Sequence, residues 1–243
     1  MSNGKGTKSA SSGETAVVVG VGPGLGLALA NRLVRDGYTV LAAARSAQVE
    51  QLQYASGPGR VVPMRCDATS GADVERLFAA AASHGELAFA AFNAGAFEPR
   101  SVLETSPEDF ERCWRTGCFG GFLVGRAAAA PMAARGKGTI VFTGATASLR
   151  GGANFVNLAS PKFALRAVAQ SMARELGPRG VHVAHVIVDG QIRTPRYAHL
   201  AASRGPDALL EPDAIADAYL ALHAQPRSAW TFELDLRPWV EKF

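Results

Sequence analysis

The stretch Ala16-Val17-Val18-Val19-Gly20-Val21-Gly22-Pro23-Gly24-Leu25-Gly26 decides how this chain folds. Residues 16–19 are small or β-branched and apolar at every position, as a strand covered by helices on both faces requires. Glycines follow at once. Residues 25–36 then carry Leu27, Leu33 and Val34 at helical spacing and stop at Gly37. A strand, a glycine turn and a helix in that order give each glycine a physical reason. Glycine permits the tight turn, lets backbone approach a pyrophosphate and lets helix pack closely on strand. The phosphates would lie at the positive end of the helix. The spacing is G-x-x-x-G-x-G through Gly20, Gly24 and Gly26, not the commoner G-x-G-x-x-G.

The same alternation continues outward. Apolar strand-like runs cover residues 38–43, 61–64, 87–92, 138–142, 181–188 and 229–234. Helical stretches lie between them at 73–82, 157–176 (ended by Gly177 and Pro178) and 214–223. A long helical region opens at Pro107 and runs to about residue 135, with Gly117, Gly120, Gly121 and Gly125 expected to split it. Residues 189–212 read as irregular. Strands alternating with crossover helices imply an α/β fold: a Rossmann-type, doubly wound parallel sheet of about seven strands with helices on both faces. No repeat of fixed period and no internal linker interrupts it. The expected organisation is a flexible Gly/Ser/Lys-rich tail over residues 1–14 and a single dinucleotide-binding domain over 15–243.

Composition agrees with one such domain. The chain has 243 residues, of which 48% are hydrophobic and 19% charged, enough to fill a core. The net charge of +4 is scattered, without a basic run interleaved with aromatics, so nucleic acid is not an expected partner. No apolar stretch is long enough to span a bilayer, and the first residues lack the apolar segment of an export signal. The cysteines, Cys66, Cys113 and Cys118, are too few and wrongly spaced for a metal site or a disulfide framework, and fit a cytoplasmic protein.

Several segments, in order, resemble the short-chain dehydrogenase/reductase family. After the glycine loop come Asp67, following the third strand, and Asn93-Ala94-Gly95, ending the fourth. Lys162 lies in Ala159-Ser160-Pro161-Lys162-Phe163-Ala164, and Asp189-Gly190-Gln191-Ile192-Arg193-Thr194 is similar to a P-G-x-x-x-T segment with Asp in place of Pro. The resemblance covers the chain from about Thr15 onward. It implies a nicotinamide dinucleotide held by Gly20, Gly24, Leu25, Gly26, Asp67, Ala68, Asn93, Ala94, Gly95, Lys162, Gly190, Ile192 and Thr194. Where the family binds a ribose 2′-hydroxyl through a carboxylate, Ala44 stands here and Arg45 follows. A guanidinium pairs with a 2′-phosphate that a carboxylate would repel. The reading therefore prefers NADP(H) over NAD(H), although Pro23 holds a loop position often basic in NADP-binding members.

The resemblance also shows what is missing. Members of the family reduce carbonyls with a tyrosine, a lysine one turn later, a serine and an asparagine. Here the corresponding positions are Leu158, Lys162, Ala145 and Gly117. Leucine donates no proton at any pH. Lys162, Thr146 and Asp189 are the candidates for the remaining chemistry. Ser148, Asn157 and a lid tyrosine, Tyr197 on residues 191–206, are weaker ones, and His185 reads as a core histidine. Two functions stay open. One is a divergent oxidoreductase acting on a small, already electrophilic substrate. The other is a catalytically silent nucleotide binder serving as sensor or partner subunit. A homodimer or homotetramer is expected, with Gly120, Gly121 and residues 127–130 allowing close helix packing. The aromatic C-terminus, with Trp230, Trp239 and Phe243, is expected to dock on this subunit or a neighbour.

Overall fold

The computed structural model describes residues 13–205 and 207–241. Its strands are β1 (Glu14–Val19), β2 (Thr39–Ala44), β3 (Arg60–Arg65), β4 (Glu86–Phe92), β5 (Gly138–Thr143), β6 (Val181–Val188) and β7 (Glu233–Leu236). All pair in parallel, in the order β3-β2-β1-β4-β5-β6-β7. The order reverses between β1 and β4, so a crevice opens at their C-terminal ends.

Helices α1 (Leu25–Arg35) and α7 (Pro212–His223) cover one face, and α2 (Gly71–His84), α4 (Gly120–Arg135) and α5 (Val156–Leu176) the other. Each face has its own core: Leu29, Leu33, Ile215 and Tyr219 on the first, Leu77, Met132, Phe142 and Leu165 on the second. Burying each of these leucines contributes roughly 2 kcal/mol. The helix starts are written locally. Ser70 Oγ accepts from the Asp73 amide, and Ser106 Oγ from the Asp109 amide with Pro107 in the first turn of α3 (Pro107–Trp114).

Several expectations need correction. The glycines do not split the helical region: α3 passes through a π-helical turn (Arg115–Phe119) directly into α4. Those glycines are packing sites. A Cβ on Gly117 would stand 2.8 Å from the Pro161 ring, and Gly121 is pressed against Leu165 and Phe92. Gly120 faces Ala68 at 3.1 Å, so these glycines pack within the chain's own core. The tail drawn to residue 14 is one residue too long, because Glu14 opens β1 opposite Glu86 and its carboxylate pairs with Lys137. Residues 1–12 lie outside the described residues.

The last strand also moves. Trp230 leaves the sheet and stacks on His182, with ring centroids 4.9 Å apart, and β7 starts only at Glu233. Trp239 is exposed, while Phe243 lies outside the described residues. The stretch after β6 is partly ordered, with a 3-10 turn (Pro195–Tyr197) and α6 (Ala198–Arg204).

Candidate functional site

At the C-terminal ends of β1 to β4 lies a cavity of about 580 Å³, whose walls include Gly20, Gly22, Arg45, Asp67 and Asn93. Its floor is fixed by backbone. Gly20 and Val21 donate to the Ala43 carbonyl at 2.8 and 3.0 Å, and Asn93 donates its amide to Val19 and its side chain to the Gly20 carbonyl. A Cβ on Gly20 would stand 2.5 Å from the Ala94 nitrogen, and one on Gly26 2.6 Å from the Gly20 oxygen. These two glycines are structural. Gly22 and Gly95 differ, because a Cβ on either would meet nothing within 4 Å and project into open space.

Helix α1 begins behind this loop at Leu25. Gly24 is its N-cap, there is no side-chain cap, and the first turn holds no acid. The first amides of α1 and the positive end of its dipole are therefore left without a side-chain cap, a terminus of the kind that receives an anion, although Gly24, Leu25 and Gly26 themselves lie outside the cavity walls. Arg45 and Ser46 are exposed at the rim where β2 ends, and the Ser46 hydroxyl accepts from the Gln48 amide. Asp67 is tied down by Thr69, whose amide and hydroxyl both donate to Oδ1. Ala68 is buried beside it. Burial pushes the Cys66 thiol up to about 11, so it stays protonated and is no nucleophile.

The second half of the cleft lies at the ends of β5 and β6. Thr146 stands in a 3-10 turn (Thr146–Ser148) just after β5, and its hydroxyl donates to Oδ1 of Asp189 at the end of β6. Asp189 is buried, and Arg237 faces its Oδ2 at 3.4 Å. Gly190 lies against Pro238, Ile192 bridges to Leu210, and Thr194 reaches back to within 2.9 Å of a Cβ placed on Gly24. Residues 189–194 thus span the cleft from the sheet to the glycine loop. Lys162 lies one turn after Leu158 on α5. Its ammonium is buried and donates to the Thr143 carbonyl at 2.6 Å. Desolvation pulls it down to about 8.

The structure thus assembles Gly20, Asp67, Ala68, Asn93, Ala94, Gly95 and Arg45 around one cavity. It joins Thr146 to Asp189, and turns Lys162 toward β5. Tyr197 is half-buried beneath the Arg196 guanidinium, and His185 is a core residue whose Nδ1 lies 3.0 Å from Glu233. Among the described residues, no group of three or more His, Cys, Asp and Glu side chains is gathered as a metal would need. No helix among them is long and apolar enough to cross a membrane. Gly22, Ser46, Thr69 and Thr116 line the cavity without having been singled out in the sequence. Ser46, as a hydroxyl beside Arg45, carried the one readable signal.

A profile of the short chain dehydrogenase family matches residues 14–204. The chain belongs to that family. Its members bind NAD(P), and membership makes this protein an oxidoreductase by type. The crystal structure of a short-chain dehydrogenase from Rhodopseudomonas palustris is 40% identical and superposes with a TM-score of 0.78 over 93% of this chain and 99% of that one. A short-chain dehydrogenase/reductase of Armillaria gallica is 31% identical over 90% of this chain and 86% of its own. The 3-oxoacyl-[acyl-carrier-protein] reductase MabA of Mycobacterium bovis is 29% identical over 78% of this chain and 74% of its own. Relatives named as dehydrogenases and reductases favour an enzyme over a silent binder.

Proposed function

We propose that this family member is an NADP(H)-dependent oxidoreductase that exchanges hydride with a small organic substrate already electrophilic on arrival, such as an iminium or a conjugated system. The observation that carries the cofactor preference is the rim of the cavity. Arg45 and Ser46 stand at the end of β2, where an acid would select a free 2′-hydroxyl. Arg45 supplies the charge for a 2′-phosphate and Ser46 a hydroxyl donor. The residues present fit the rest of a dinucleotide. Gly22 and Gly95 leave space above the loop, and the uncapped first turn of α1, with Gly24, Leu25 and Gly26, offers amides to a pyrophosphate. Asp67 and Ala68 border the adenine end, and Asn93 and Ala94 support the ribose side.

When bound, the dinucleotide supplies the hydride. The chain's own residues position it and exclude water. Gly190, Ile192 and Thr194 form the strap over the nicotinamide side. Thr146 and Asp189 border the reacting face, but the Thr146 proton is spent on Asp189. Lys162 directs one of its three N–H groups to the Thr143 carbonyl. Leu158 and Ala145 offer none. The tyrosine and serine positions thus supply no hydrogen-bond donor to a neutral carbonyl, which is why the proposed substrate brings its own activation.

We further read the chain from Glu14 onward as one cytoplasmic domain that forms a homodimer or homotetramer. Trp114, Phe122 and Phe163 are exposed on α3, α4 and α5 and provide an apolar face for that contact.

The test is a calorimetric titration with NADPH and with NADH, on the native chain and on Arg45→Asp. NADPH should bind at least tenfold more tightly, and the substitution should abolish the preference. Equal affinities would overturn the NADP reading. Tight binding without turnover on imines and activated carbonyls would overturn the catalytic one.

A further inference from the structure

We propose that Arg237, on the segment after β7, is a positioning residue that sets the strap 189–194 over the nicotinamide half of the cleft by holding Asp189. The inference rests on the dinucleotide reading above.

The C-terminal segment is tied to the start of the strap at three successive residues. The Leu236 carbonyl accepts from the Asp189 amide at 2.8 Å. The Arg237 guanidinium faces Asp189 Oδ2 at 3.4 Å. The Pro238 ring lies 2.9 Å from where a Cβ on Gly190 would be, at a φ of +143° that favours glycine. The strap's far end, Thr194, rests on Gly24 of the glycine loop.

Arg237 acts through Asp189. The Asp189 side chain is only 8% exposed, and a carboxylate so buried is costly without partners. Oδ1 accepts a hydrogen bond from the Thr146 hydroxyl, and Oδ2 faces the guanidinium. Asp235, which also pairs with Arg237, is 37% exposed and can turn to water. Without the guanidinium, Asp189 keeps one neutral donor, and swinging out toward solvent becomes the cheaper state. Residues 190–194 move with it. The cavity at the ends of β1 to β4 is walled by residues outside the strap and keeps its shape.

The geometry predicts a selective loss. Affinities of the full-length protein are measured for NADPH and for 2′-phosphoadenosine 5′-diphosphoribose, which lacks nicotinamide. The variants are Arg237→Gln, Arg237→Lys and Thr146→Val. Arg237→Gln should weaken NADPH about tenfold, the usual worth of a charged partner to a buried carboxylate, and change the fragment less than twofold. Arg237→Lys should recover most of the loss. Thr146→Val combined with Arg237→Gln should be less than additive, because both act on one carboxylate. Unchanged NADPH affinity, or equal weakening of both ligands with no rescue by lysine, overturns the positioning role. If the native protein binds neither ligand, the dinucleotide reading itself fails and this role falls with it.

Discussion

Gly20→Ala separates a glycine the fold needs from those the ligand would need. Gly20 has a φ of +94°, where an L side chain costs about 1–2 kcal/mol. Its Cβ would stand 2.5 Å from the Ala94 nitrogen and 2.7 Å from the Asn93 carbonyl carbon. Neither neighbour is the end of a flexible side chain. Both belong to backbone anchored by the hydrogen bonds of Asn93 to Val19 and Gly20. Relieving that overlap costs about 1–3 kcal/mol more. Alanine returns roughly 0.4–1 kcal/mol by restricting the unfolded chain. The net destabilisation is about 2–4 kcal/mol, which lowers Tm by roughly 10 °C for a chain of this size. The control is Gly22→Ala, where a Cβ meets nothing within 4 Å. It should keep its stability to within about 0.5 kcal/mol yet weaken NADPH, because the methyl occupies the cavity. Urea denaturation followed by circular dichroism, with a parallel NADPH titration, measures both. A Gly20→Ala protein with the native urea midpoint would refute the reasoning, since it would mean that β1's exit is not seated on residues 93–94.

Two further predictions concern buried titratable groups. Burial pushes the His185 imidazole down to about 4 despite the Glu233 carboxylate beside it, and the charges of Lys162 and Arg166 push the same way. The unfolded chain takes up that proton near its ordinary value of 6.5. The contribution of neutral His185 is therefore complete above pH 6.5 and lost as pH falls toward 4, by at most about 3 kcal/mol. His185→Gln should flatten that limb in urea midpoints taken at pH 7, 5.5 and 4.5, and an unchanged slope would count against it. Lys162 is the opposite case, a cation buried at a cost. With its ammonium pulled down to about 8, the cost is full below that pH and relieved as pH climbs toward 10.5, where the unfolded chain still holds the proton. Lys162→Met should stabilise the fold at pH 7 by about 1–3 kcal/mol and remove the rise between pH 8 and 10. A variant destabilised at pH 7 would show that the Thr143 hydrogen bond outweighs desolvation.

Chain order and local pattern carried most of the fold. Residues 16–26 announced a strand, a phosphate-type turn and a helix because each is specified within a few residues, by apolar runs and by glycine's backbone freedom. Residues 181–188 were legible as a strand to the residue, being apolar enough to lie buried between helical layers. Local reading failed where glycine had a second use. Gly117, Gly120 and Gly121 read as breakers in isolation, but in the fold they make room for α5 and Ala68, and the helix runs on through a π-helical turn. It failed again at β7, where Trp230 has a strand-forming side chain but finds a stacking partner in His182.

The site divides the same way. Arg45, Asp67 and Asn93 follow strand ends that the sequence marks, and parallel strands bring those ends to one edge of the sheet, so their meeting around one cavity follows from the pattern. The pairing of Thr146 with Asp189, the turn of Lys162 toward Thr143 and the reach of Arg237 to Asp189 have no local signal. Each joins residues from separate elements. Each is decided by which buried charge or proton finds a partner once water is excluded, and that becomes defined only when the sheet and its helices close around the site.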